Sequence, residues 1–249
     1  MNVFLVTIAH PRIEWPFLEN WCEKLVKLGI DKVFIGEDQQ KKTKSGRYPF
    51  KNVWSTQYND KEVQDVWNES VRKSRQVMDI EIHPFFKKNL VKAQLKLHHD
   101  VIEKHHSDCD WIISMDIDEM LILSQGNLKD YLMSVSHLDV IHFNQIMFDS
   151  RWQKSYTFPE NIHFYHPAVV KCAMKYIYKS QIGKKLEFIH YCDAEHECFI
   201  EDNLKAVYHH FRGKVTELHH VGMQQMSNFW KKTEYPMKMV DVINNVKLI

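Results

Sequence analysis

The sequence predicts an α/β fold, a sandwich built around a mainly parallel central sheet, and three consecutive segments carry that prediction. Val3-Phe4-Leu5-Val6-Thr7-Ile8 is a nearly continuous apolar run, the pattern of a strand covered on both faces. Leu18, Trp21, Cys22, Leu25, Val26 and Leu28 then recur at helical spacing, and Gly29 is placed to end that helix. Asp31-Lys32-Val33-Phe34-Ile35-Gly36 returns as a second strand. Strand, helix and strand at this spacing imply a parallel pair joined by a right-handed crossover.

The elements that follow extend the pattern. Residues 39 to 49 are polar, include Gly46 and Pro49, and are expected to form a loop. Helices are expected from about Lys61 to Met78 and from Phe85 to about His105; in the second, Phe86, Leu90, Ala93, Leu97 and Val101 share one face. Trp111-Ile112-Ile113-Ser114-Met115 is a short apolar strand that ends on Asp116-Ile117-Asp118-Glu119. Beyond it, strands rich in aromatic and β-branched residues are expected at Asp139–Phe148, Phe164–Val170, Leu186–Tyr191 and Ala206–Phe211, with a polar helix from Gln224 to Lys232. With no internal repeat or linker-like composition, residues 1–249 read as one domain.

Composition narrows the function classes. Hydrophobic residues make up 44% of the 249 residues, enough for a packed core. A formal net charge of +1 gives no electrostatic reason to expect nucleic acid or an anionic membrane as partner. No apolar run approaches the roughly 18 residues of a membrane span, and the N-terminus reads as a strand rather than a signal peptide. Five cysteines at irregular spacing do not form a disulfide framework, so a cytoplasmic setting is the expectation, with peripheral membrane association or the host cytoplasm of a virus left open.

The acidic cluster carries the chemistry. Three carboxylates in four residues lie between the apolar strand and Met120-Leu121-Ile122-Leu123. Desolvating that much charge is costly unless a cation compensates, and hard oxygen donors suit Mn²⁺ or Mg²⁺. The position also matters, because open α/β sheets bind ligands beyond the carboxyl ends of their strands.

Trp111-Ile112-Ile113-Ser114-Met115-Asp116-Ile117-Asp118-Glu119-Met120 resembles the W-x-x-x-x-D-x-D-E-F signature of GT-A-fold glycosyltransferases of the family 2-like and family 92-like groups, with Met120 where Phe is usual. Glu14-Trp15-Pro16-Phe17-Leu18-Glu19-Asn20-Trp21 is similar to the N-E-x-x-Y-L-x-E-W segment, with Ile13 in place of Asn, and Leu28-Gly29-Ile30-Asp31 to L-G-V-D. Downstream, Phe143 to Ser150 resembles an F-G-S acceptor segment with Asp149 where Gly is usual. Lys175 to Lys179 resembles K-x-I-x-R/K, and His219-His220 followed by Ser227 to Lys232 resembles H-Y … S-x-x-x-F-x-x-K.

The resemblance implies a Rossmann-like GT-A sandwich whose residues 1–123 bind a nucleoside-diphosphate sugar and whose residues 124–249 bind a hydroxyl acceptor such as a glycan. It implies donor contacts from Thr7, Ala9, Glu14, Asp38, Gln94, Asp116, Ile117 and Asp118, and metal ligation by Asp118 and Asp116 with a late histidine, His220, completing the set. Inversion at the sugar would require a general base. Asp193, in a carboxylate-rich segment, and Asp149 are the candidates, and Trp152 is the candidate acceptor platform. Arg151 and Lys154 could contact phosphate, although ordinary surface charge is the commoner role.

Two other classes compete. A phosphatase of the haloacid dehalogenase type also places Asp-x-Asp after an apolar strand, with Asp116 as nucleophile, but it expects Thr or Val where Met120 stands and an N-terminal motif. A metal-binding protein using Cys172, Cys192 and Cys198 lacks the close cysteine pairing that zinc sites need.

Overall fold

The computed structural model describes residues 1–39, 60–85, 90–124, 126–149, 168–185, 198–200 and 206–212. In chain order these form β1 (Val3–Ala9), α1 (Pro11–Leu28), β2 (Lys32–Asp38), α2 (Asp60–Ser74), β3 (Asp79–Phe85), α3 (Leu90–His105), β4 (Trp111–Ser114), β5 (Glu119–Leu123), α4 (Leu128–Ser134), β6 (Val140–Asp149), β7 (Ala168–Lys179), a 3-10 turn at Ser180–Lys185, β8 (Cys198–Ile200) and β9 (Ala206–Arg212).

The strands join in one sheet of order β3-β2-β1-β4-β7-β6-β9-β5, with β8 paired to β6. β3, β2, β1 and β4 are mutually parallel neighbours, in register at Val6 with Phe34 and Ser114. β7 is antiparallel to both β4 and β6, β6 runs parallel to β8 and β9, and β5 is antiparallel to β9. The sheet is mixed and mostly parallel, flanked by helices, a Rossmann-like α/β sandwich of GT-A type.

Strand alternation sorts the core into two layers. Val3 and Leu5 of β1 and Ile113 of β4 face Leu18, Trp21 and Leu25 of α1, Trp67 and Val71 of α2 and Leu128 and Leu132 of α4. Phe4 and Val6 of β1 and Ile112 of β4 face the opposite layer, with Leu97, Val101 and Ile102 of α3 and Tyr176 and Tyr178 of β7. β1, β2 and β4 are thus buried on both sides, which accounts for their unbroken hydrophobic runs, whereas the edge strand β3 alternates. Gly29 adopts φ 99° and closes α1, its N–H reaching Leu25 O and Val26 O.

The structure corrects several expectations. Phe85 ends a strand and does not start a helix: Ile80 and Ile82 alternate along β3, which pairs with β2, and Pro84 is tolerated because β3 lies at the sheet edge. α2 stops at Ser74, short of Met78. The strand expected to end at Val170 continues to Lys179, and residues 119–123 and 128–134 form a strand and a helix that the sequence reading had not separated. The expectations for residues 40–49, the 164–167 strand start, the 186–191 strand and the 224–232 helix lie outside the described residues.

Candidate functional site

β1 sits between β2 and β4, so the chain moves outward from β1 to β2 and β3 and then returns across β1 to β4. That reversal falls at the carboxyl ends of β1 and β4, the place where open α/β sheets bind ligands. The acidic segment falls there, in the turn from β4 to β5.

The turn is closed twice. The Glu119 N–H donates to Asp116 O at 3.0 Å, and the Asp116 N–H donates to Glu119 Oε2 at 2.9 Å. Ile117 is fully buried in the layer beneath α1, which anchors the turn and leaves Asp116 and Asp118 half-buried on either side of it. The indole of Trp21 adds a clamp from α1, donating to Glu119 O at 3.0 Å. Carboxylate oxygens of Asp116, Asp118 and Glu119 come within 4.8 Å of one another, a spacing that one cation can bridge.

Lys175 on β7 completes the inner side. Its Nζ lies 2.9 Å from Asp116 Oδ2 and 2.9 Å from Glu119 Oε2, with 2% of the lysine side chain and none of the Glu119 side chain exposed. Burial works against the ammonium, but Asp116 and Glu119 outweigh it and hold Lys175 above the ordinary lysine value. Removing Lys175 would take the cation away from the fully buried Glu119 carboxylate, a loss of about 3–5 kcal/mol, whereas removing Glu119 leaves the ammonium paired with Asp116.

Further acidic groups surround this centre. Glu14, in the first turns of α1, accepts the His10 N–H through Oε2. Burial pushes its carboxyl well above the usual range, reinforced by the nearby charges of Asp118, Asp116 and Asp38. Asp38 is buried at the end of β2, and the neighbouring Glu37 accepts the Trp67 indole N–H at 3.0 Å. On α3, His98 is fully buried with Nδ1 2.7 Å from Tyr178 Oη, and burial, then His99 and Lys175, drive its pKa down to about 3. Gln94, one turn earlier, is buried too.

The structure therefore brings Asp116, Asp118, Glu14 and Asp38 to one end of the parallel strands. Thr7 and Ala9 lie at the end of β1 but are fully buried, so they could meet a ligand only through the backbone. Asp149 ends β6 opposite Arg212 of β9. Asp193, Trp152, His220, Arg151 and Lys154 lie outside the described residues. Lys175 is the site residue that sequence reading did not assign; the signal was a lysine inside a strand whose neighbours, Tyr176 and Ile177, are apolar or aromatic.

No family model matches the chain, and no curated protein matches it. Among solved structures, residues 1–349 of S. aureus TarS in complex with UDP-GlcNAc superpose with a TM-score of 0.49 at 12% identity, covering 85% of this chain and 59% of that one. The same TarS fragment in a second crystal structure gives 0.45 at 11% identity, covering 85% and 60%. A UTP-bound UGPase from Acinetobacter baumannii gives 0.40 at 11% identity, covering 98% and 99%. The chain spans about 60% of the length of that TarS fragment. At these values the functional reading rests on the chain's own site.

Proposed function

We propose that the protein is a metal-dependent glycosyltransferase that moves a sugar from a nucleoside-diphosphate sugar to a hydroxyl of a glycan or other acceptor, with inversion. The observation that carries the proposal is the convergence of Asp116, Asp118 and Glu119 at the strand ends of β1 and β4. These three carboxylates are hard oxygen donors, two of them half-buried, which fits Mn²⁺ or Mg²⁺ better than a thiophilic ion. A divalent ion bound there would neutralise charge on a departing diphosphate.

In this reading Asp118 and the Asp116 oxygen not paired with Lys175 hold the ion. Glu119 shapes the turn, and Ile117 fixes its depth. Thr7, Ala9, Glu14, Asp38 and Gln94 line the donor side. Asp193 or Asp149 takes the proton of the acceptor hydroxyl, Trp152 carries the acceptor, and His220 completes the ion's coordination. Residues 1–123 then form the donor half and 124–249 the acceptor half of one domain acting in the cytoplasm.

The test is a thermal-shift screen of nucleoside diphosphates with and without Mn²⁺, since a ligand that binds only the folded state raises its stability. At least one nucleotide is expected to shift the wild type in the presence of Mn²⁺ and to shift Asp118→Ala far less. Equal shifts for the two proteins would reject the proposal. So would rapid hydrolysis of a simple phosphomonoester that Asp116→Asn abolishes, the behaviour of a phosphatase.

A further inference from the structure

We infer that Lys175 is a built-in counter-cation that sets the charge of the ion the acidic turn accepts, restricting it to a single divalent cation. The inference rests on the metal-binding reading of Asp116 and Asp118 given above. Its own support is the position of the ammonium group, 2.9 Å from Asp116 Oδ2 and 2.9 Å from Glu119 Oε2, with the lysine side chain 2% exposed. This is the bridging place between two carboxylates that a second metal ion would take in a two-metal site.

Within the turn itself, three carboxylates against one ammonium leave two net negative charges, which one divalent ion would neutralise. The lysine is carried by a central strand, β7, held between β4 and β6, and its 2% exposed side chain is enclosed by packed neighbours that restrain it beside the turn. Unsatisfied polar atoms also lie near this strand end, on the α3 face of the sheet. Ser114 Oγ, two residues before Asp116, and Gln94 Nε2 and His98 Nε2 on α3 have no hydrogen-bond partner among the described residues, although 0%, 6% and 0% of these residues are exposed. Buried polar atoms of this kind are ordinarily satisfied, by ordered water or a bound group where protein does not reach them.

The consequence is a charge rule that packing damage cannot mimic. Lys175→Arg and a charge-neutral double variant report loss of shape at constant charge, whereas a change of one unit charge beside the ion alters the Tb³⁺-to-Mn²⁺ ratio by about tenfold or more. The experiment measures Mn²⁺ affinity from the EPR signal of the free ion and Tb³⁺ affinity from luminescence sensitised by tryptophan. It uses the wild type, Lys175→Met, Lys175→Arg, Glu119→Gln and the double variant Lys175→Met/Glu119→Gln.

The preference for Tb³⁺ over Mn²⁺ is expected to rise about tenfold or more in Lys175→Met, to fall by a similar factor in Glu119→Gln, and to stay near the wild-type value in Lys175→Arg and in the double variant, whose net charge equals that of the wild type. Glu119→Gln keeps Lys175 paired with Asp116, so it carries the test even where Lys175→Met does not fold. One Mn²⁺ per wild-type chain with an unchanged ratio in Glu119→Gln overturns the role of Lys175 while leaving the metal site standing. A wild type that binds neither ion overturns the metal reading itself.

Discussion

At the scale of single residues, the site is defined by how charge is balanced in a space with little water. Glu14 shows the imbalance most clearly: burial, then Asp118, Asp116 and Asp38, raise its pKa well above the ordinary carboxyl value of 4.5. A carboxyl whose folded pKa exceeds its unfolded one lends stability below the unfolded pKa and loses it as pH rises through the folded value. In metal-free protein, Glu14→Gln should therefore gain on the wild type as pH rises above about 4.5. Urea titrations in EDTA at stepped pH check this, and a difference between the two proteins that is flat with pH would contradict it. The Asp-x-Asp pair was legible in the sequence because it is contiguous. The partnership of Lys175 with Asp116 was not, because 59 residues separate them.

At the scale of elements, what matters is how closely side chains of one element pack onto the backbone of the next. Gly36 in β2 lies under α3, where a Cβ would stand 3.1 Å from Leu97 Cδ2 and 3.2 Å from Phe85 Cε1. Gly36→Ala should cost about 1–3 kcal/mol through overpacking between sheet and helix, read as a lowered midpoint in chemical denaturation. A midpoint equal to wild type would mean that α3 yields without cost. Several elements carried signals that the sequence reading passed over. Asn127 caps α4, its side chain accepting the Asp130 N–H at 2.9 Å, a pattern visible as Asn-x-x-Asp ahead of Tyr131 and Leu132. The alternation of Ile80 and Ile82 marked β3, but the helical spacing that runs from Phe86 through Leu90, Ala93, Leu97 and Val101 drew the expected helix start back to Phe85. β7 gave no alternation to read, because Tyr176, Ile177 and Tyr178 are all buried.

At the scale of the whole molecule, two apolar layers clasp one sheet and shield its thiols. Cys22 and Cys109 are buried and unoxidised, and burial pushes each thiol pKa up to about 12. Both should resist alkylation at pH 8 in the native protein and react only on unfolding, as peptide mapping after a timed iodoacetamide pulse would show. Native-state labelling of either at the rate seen in urea would contradict the packing described. The sequence by itself determined the α/β class, the opening strand-helix-strand unit and the acidic turn, because hydrophobic periodicity and contiguous motifs are local properties of the chain. Only the tertiary structure decided that β7 inserts antiparallel between β4 and β6, and that this places Lys175 against Asp116 and Glu119. The physical reason is that strand pairing and the burial of a counter-ion are settled by which distant edges meet, and a one-dimensional pattern does not record that choice.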